Sequence, residues 1–359
     1  MSTDVQSAPA TSAAPQGPVR VERRLPRSAP LVLFLAGFAL GAALSALTGF
    51  SVTSTVIYGV VLGTLAVYVG TRAVEGRRKA TDRLVTCLVT TAFGIAMVPL
   101  VSLVWTVLDN GLPRFDGAFF SNSMFRVVGE GGGAYHAIMG TLIITALATL
   151  ISVPIGLLTA IYLVEYGAGR LKRSITFFVD VMTGIPSIVA GLFAFALFTL
   201  VFGNGVRLGV MGAVALSVLM IPVVVRSCEE VLKLVPNELR EASYALGVPK
   251  WRTIVKVVLP TAIAGLGTGV TLAVARVVGE TAPLLITVGL ITGTNFNPFD
   301  GRMATLPVFA YYQLTQPGTA TQAFLDRAWT AALVLIILVM ALNVVARLIS
   351  RFFAPKTGR

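Results

Sequence analysis

Apolar positions in this chain run on rather than recurring at intervals. Runs of the length that crosses a bilayer as a helix, about 20 mainly apolar residues, occur eight times: Ala29–Phe50, Thr53–Val74, Leu84–Leu108, Ala137–Val164, Phe177–Val201, Leu208–Val225, Ala262–Val288 and Trp329–Leu348. The pattern predicts an all-α integral membrane protein with about eight transmembrane helices. Only Ser51 and Val52 separate the first two runs, so these predict a helical hairpin.

Composition points the same way. Hydrophobic residues are 55% of the chain and charged residues 12%, with a mean hydropathy of +0.84; soluble globules carry about 25% charged residues. Lipid is the solvent such a surface requires. Residues 1–28 are rich in Ala, Ser, Pro and Gln and end in Arg20, Arg23, Arg24 and Arg27. They predict a disordered cytoplasmic tail. A signal peptide is not expected, because the apolar run that follows is too long and no cleavage signal ends it.

The net charge of +12 changes the picture only through its placement. With the N-terminus inside, the outer segments hold just Arg114, Arg126, Arg207, Arg302 and Arg327, and Arg276 alone sits deep in a span. Basic residues gathered on the inner face set orientation. This predicts both termini in the cytoplasm, Asp109–His136 and Gly289–Arg327 as long outer loops, and a lipid bilayer rather than nucleic acid as the partner of the basic excess. Cys87, Cys228 and the single His136 have no metal-ligand spacing, so neither a metal site nor a Cys/His catalytic pair is expected. Neither G-x-x-x-x-G-K-S/T nor a G-x-G-x-x-G after a strand occurs. The chain itself is expected not to be an enzyme and to need no cofactor; any ATP hydrolysis would belong to another chain.

The longest inner loop, Arg226 to Pro260, has its own local logic. Asn237 is placed to cap a short helix after Pro236, with Glu238 and Glu241 in its first turn. Gly247 is placed to end that helix in a left-handed conformation, and Pro249 to start a second one striped by Trp251, Ile254, Val255 and Val258. Pro260 then precedes the next span. The result is a helix–Gly–helix hairpin on the membrane's inner face.

The sequence Glu241-Ala242-Ser243, Gly247 four positions later, then Val257-Val258-Leu259-Pro260 resembles the EAA loop of ABC-importer permeases of the binding-protein-dependent type. Ser243 stands for the second Ala and Val257 for Ile. The resemblance implies a type I ABC-importer permease core preceded by an N-terminal helical hairpin. It also implies that Glu241, Ala242, Ser243, Gly247, Leu259 and Pro260 couple to a cytoplasmic ATPase.

Two further stretches, Gly184-Ile185-Pro186-Ser187-Ile188-Val189-Ala190-Gly191-Leu192-Phe193 and Arg276-Val277-Val278-Gly279-Glu280-Thr281-Ala282-Pro283-Leu284-Leu285, are similar to phosphate-importer permeases of the PstA type. The resemblance spans about residues 135 to 350. It implies import of inorganic phosphate with a homologous PstC-like permease, a PstB-like ATPase dimer and an extracytoplasmic PstS-like phosphate-binding protein. Arg276 and Glu280 are four apart, so a continuous helix would place them on one face. Ionisable groups at membrane depth normally face a pathway or a partner, and Arg offers a planar fork to phosphate oxygens. With Thr281, and with Pro186 and Ser187 at a predicted bend in the fifth span, they are the candidate substrate pathway; an ion pair that only neutralises itself is the alternative. The implied segments are the tail (1–28), an accessory hairpin with its basic loop (29–80), a third span with its outer loop (81–134), the permease core (135–350, coupling loop 226–260) and a cytoplasmic tail (351–359). A permease for another oxyanion and an ion-coupled secondary transporter remain open; the latter leaves the Glu241 loop unexplained.

Overall fold

A computed structural model describes residues 25, 26 and 28–353, so most of the expected N-terminal tail and residues 354–359 lie outside the described residues. Regular structure among the described residues is entirely helical. Among the described residues seven helices are long and apolar enough to cross a membrane, or eight if one bent pair counts as a span.

Residues up to Leu103 form one compact unit and those from Val104 another. The first holds α1 (Ala29–Thr48), α2 (Val52–Glu75) and most of α3 (Arg77–Gly111). Helices α1 and α2 pack backbone to backbone. A Cβ on Gly37 would meet Gly63 Cα at 2.7 Å, and one on Gly41 would meet Gly59 N at 2.5 Å. In lipid, helices gain little from burying apolar surface against each other, so small residues that permit close approach hold them together. Near the turn, Thr55 Oγ1 donates to Ser45 Oγ at 2.9 Å. At the other end the buried Glu75 carboxylate takes Arg83 at 2.8 Å and the Leu25 N–H at 2.6 Å.

The second unit contains α4 (Gly117–Ser121), α5 (Tyr135–Ile161) with a π-turn at Tyr162–Tyr166, α6 (Gly169–Thr183), α7 (Ser187–Phe202) and α8 (Gly209–Lys233). They are followed by α9 (Asn237–Ala245), α10 (Lys250–Thr253), a second π-turn (Ile254–Val258), α11 (Leu259–Val278), α12 (Ala282–Thr287), α13 (Leu306–Thr315) and α14 (Thr321–Phe353). Helix α8 is central: 67% of its most apolar stretch is buried, against 28% for α14. It packs on α5, α7 and α11, and α11 packs on α14. Ile144, Ala148, Leu216, Met220, Val224 and Ala273 form the heart of the core.

Four expectations are corrected. The fifth span is not one helix over Phe177–Val201: it breaks at Gly184–Pro186, and α6 and α7 meet at 107°. Pro186 lacks an N–H and pushes the residue before it out of the helical region, while α6 carries Arg170, Lys172 and Arg173 that a span would not hold. The seventh span does not run to Val288, because α11 ends at Val278 and α12 starts only at Ala282. At its other end the helix continues unbroken from Lys250, so Pro260 lies inside it; the wider π-turn just before it relieves the clash a proline makes with the preceding turn. Within the coupling loop, α8 extends eight residues past Val225, to Lys233.

Candidate functional site

The hairpin between α8 and α11 is built as the local sequence requires, with one change. Pro236 occupies the N-cap, so Asn237 is the first helical residue of α9, and its Oδ1 accepts from Arg240 Nη1 at 3.2 Å instead of capping. Helix α9 ends in a Schellman motif: Gly247 N–H donates to Tyr244 O at 2.9 Å and Val248 N–H to Ser243 O at 3.2 Å. Gly247 takes φ +73°, and open space surrounds it, so the need for glycine there is conformational.

Buried polar contacts fasten the hairpin. The Ser243 and Thr253 hydroxyls lie 2.8 Å apart, joining α9 to α10. Arg240 reaches Glu165 in the first π-turn through Nη2 at 2.8 Å and Nε at 3.0 Å, and also donates to the Leu232 and Val235 carbonyls at 3.0 and 2.6 Å. Both side chains are buried, at 11% and 5% exposure. Lys250 Nζ sits 4.9 Å from the centre of the Tyr166 ring in that same π-turn. Arg226 bridges Asp180 of α6 to Glu229 of α8, and Lys233 pairs with Glu229 at 2.7 Å. Large apolar side chains stand outside the hairpin among its charged ones: Leu246 is 83% exposed, Leu234 81% and Trp251 57%, beside exposed Glu238, Lys250 and Arg252. Glu241, Ala242 and Pro260 share that exposure, Leu259 is half-buried, and Ser243 is buried.

Arg276 and Glu280 do not share a helix face. Arg276 is exposed in the last turn of α11; Glu280 is half-buried in the break beyond it, where its N–H donates to Val277 O at 3.2 Å. No ion pair joins them among the described residues. Thr281 lines a cavity of about 470 Å³ with Leu285, Tyr311 and Trp329. Pro186 is exposed and Ser187 half-buried at the start of α7. The two stretches singled out in the sequence meet, since α7 lies on α12 and a Cβ on Gly191 would approach Pro283 Cα to 2.6 Å.

Glu165, Asp180 and Arg240 were not among the candidates in the sequence. A visible signal existed for two of them: Glu165 is a lone acid at the end of the fourth apolar run, and Arg240 directly precedes Glu241. Two ionisable residues of the expected outer loops are buried. His136 is 2% exposed, with its ring edge-on to Phe309. Arg327, 1% exposed within α14, donates to the Gly129 and Gly131 carbonyls at 2.8 and 2.9 Å and so holds the Gly131–Gly133 stretch against the core. Among the described residues no group of acidic, His or Cys side chains is arranged to hold a metal ion.

A helical membrane unit presenting an apolar-faced EAA hairpin at one end defines a class, the permease of a binding-protein-dependent importer. Residues 152–359 match the family described as "Binding-protein-dependent transport system inner membrane component", and the chain belongs to that family. Among its relatives is the "Phosphate transport system permease protein PstA 1" of Mycobacterium tuberculosis, 48% identical over 286 residues that cover 79% of this chain and 91% of the relative. The "Phosphate transport system permease protein PstA" of Pasteurella multocida is 37% identical over 78% of this chain and 97% of the relative. A solved bacterial ABC transporter involved in import of the acidic polysaccharide alginate shares the fold, with a TM-score of 0.54 at 12% identity over 76% of this chain and 96% of that one.

Proposed function

We propose that the chain is the transmembrane permease subunit of an ATP-driven importer of inorganic phosphate in a bacterial plasma membrane, with both termini in the cytoplasm. It forms half of the translocation pathway beside a homologous PstC-like subunit. A PstB-like ATPase dimer docks beneath it, and a PstS-like protein delivers phosphate from outside. The chain hydrolyses no ATP itself. The observation that carries this reading is the hairpin: Leu234, Leu246 and Trp251 exposed on a scaffold locked by Arg240–Glu165 and Ser243–Thr253. A rigid body with an apolar outer face on a polar loop fits a protein cleft. Glu241, Ala242, Gly247, Leu259 and Pro260 form its docking and transmission surface, with Ser243 bracing it from within.

ATP-driven closure of the ATPase dimer moves the hairpin, α8 and α11 move with it, and the bundle opens outward to accept phosphate; hydrolysis resets it. Arg276, exposed and with no ion pair among the described residues, offers phosphate a planar fork. Glu280 and Thr281 in the break, with Pro186 and Ser187 at the start of α7, line the route. Residues 29–80 are an accessory addition to a core at 135–350. The test is phosphate uptake in cells lacking this chain, with and without its return, and with Arg276→Gln/Glu280→Gln. Normal abundance and ATPase co-purification with little uptake are expected of the double variant; substantial uptake would remove both residues from the pathway.

A further inference from the structure

Five arginines lie in the segments expected to face outward, and three are accounted for. Arg114 pairs with Asp116 and donates to Gly132 O, Arg126 covers the Phe125 ring at 5.0 Å, and Arg327 holds loop carbonyls. Arg207 and Arg302 differ. They come together over one backbone position, Gly289: the place its Cβ would occupy lies 2.9 Å from Arg207 Nη1 and 3.7 Å from Arg302 Cδ. Among the described residues neither forms an ion pair, and the one hydrogen bond of Arg207 is a 3.4 Å bond to the Leu285 carbonyl.

Their setting is rigid. Asn295 Nδ2 donates to the Asp300 and Arg302 carbonyls at 2.7 and 3.0 Å, which fixes the turn that carries Arg302. Val210 N–H donates to Pro298 O at 2.8 Å, which ties that turn to the N-terminus of α8 beside Arg207. Gly289, at φ +68°, leaves the guanidinium its space. Two arginine side chains that meet over one glycine, neither with a carboxylate partner among the described residues, can both turn a guanidinium to a shared anion. Guanidinium forks match tetrahedral oxyanions, and the first turn of α8, a 25-residue helix, adds partial positive charge.

The geometry points to a tetrahedral-oxyanion subsite formed by Arg207 and Arg302 over Gly289, which inorganic phosphate visits before it reaches Arg276. This rests on the phosphate-permease reading. Continuity supports it: Arg207 contacts the carbonyl of Leu285, and Leu285 lines the same cavity as Thr281. Helix α12, which connects the two levels, is six residues long, about 9 Å at 1.5 Å per residue. A half-buried Arg207 recessed over a glycine suits a small ion better than the flat acidic surface of a protein partner.

The test uses the complete complex in proteoliposomes with the binding protein outside. Arg207→Gln/Arg302→Gln is expected to lower the maximal phosphate uptake rate about tenfold, the loss of one to two charged hydrogen bonds. The binding-protein concentration for half-maximal ATPase stimulation is expected to stay unchanged. A raised half-maximal concentration with normal uptake at saturation would overturn the subsite and make the pair a protein-docking contact. Wild-type uptake by the double variant would overturn it while leaving the permease reading intact; absence of phosphate uptake by the unaltered complex would reject the permease reading itself. Should the double variant fail to assemble, Arg302→Cys alone serves. Inorganic phosphate, and not chloride, is expected to slow its modification by a cationic thiol reagent, and equal protection by both salts would overturn the proposal.

Discussion

Two helical hairpins in this chain solve the same problem by opposite means. The α1–α2 hairpin is held by glycine against glycine, and its outward face is apolar: Leu35, Leu40 and Leu47 stand exposed. The α9–α10 hairpin is held by a buried ion pair, a hydroxyl pair and a left-handed glycine, yet it too exposes Leu246 and Trp251. In a bilayer an exposed leucine needs no further partner, and close backbone contact is the available glue. In water the same exposure costs free energy, and on the proposed reading the ATPase subunit covers it. The bonding type, more than the apolar residues, tells the two environments apart.

The comparison breaks most severely at Arg240. Arg240→Ala strands Glu165 among buried groups, and removing one partner of a buried pair costs about 3–5 kcal/mol. Amide hydrogen exchange across residues 237–253 should quicken more than a hundredfold, with Glu165→Gln in the same chain recovering much of the protection. Unchanged exchange would mean that the ion pair does not hold the hairpin.

Gly41→Leu attacks the other hairpin. Its side chain would have to enter space already filled by the Gly59 backbone, at about 1–3 kcal/mol or more. Cysteines placed at Ser45 and Thr55 should crosslink readily in the parent chain and less than half as well in the variant. Gly94→Leu, at a position with nothing within 4 Å, is the control and should leave the yield unaltered.

Gly247→Val tests a conformational requirement free of steric contact. A left-handed backbone costs a side-chain-bearing residue about 1–2 kcal/mol, so co-purification with the ATPase should fall while membrane insertion is retained; Gly247→Asn should be milder. The smallest effect belongs to Ser243→Ala. It loses one hydrogen bond, about 1 kcal/mol, and should lower the hairpin's thermal midpoint slightly with uptake changed less than about twofold. A larger loss of uptake would give the Ser243 hydroxyl a role beyond bracing.

Much of this was legible along the chain. Apolar run length identified the membrane helices, because a bilayer demands length and apolarity before anything else. Gly247 and Pro249 marked the hairpin turn because their backbone constraints are local, and the EAA spacing marked its surface. Less legible were the breaks. Pro186 suggested a bend, but its 107° size depended on α6 being amphipathic and leaving the line of α7. Gly279 and Pro283 did not by themselves reveal that α11 stops at Val278, and so the presumed Arg276–Glu280 face was lost.

What the sequence by itself determined, then, is the apolar membrane helices, the helix–Gly–helix hairpin and the family pattern, all carried by neighbours in the chain or by residue type. The tertiary structure alone decided which charges meet. Arg240 finds Glu165 across 75 positions, Arg327 reaches Gly129 across 198, and the side chains of Arg207 and Arg302 approach the same point over Gly289. Such pairings depend on how helices stack in space, and no local propensity encodes the partner of a long, flexible side chain.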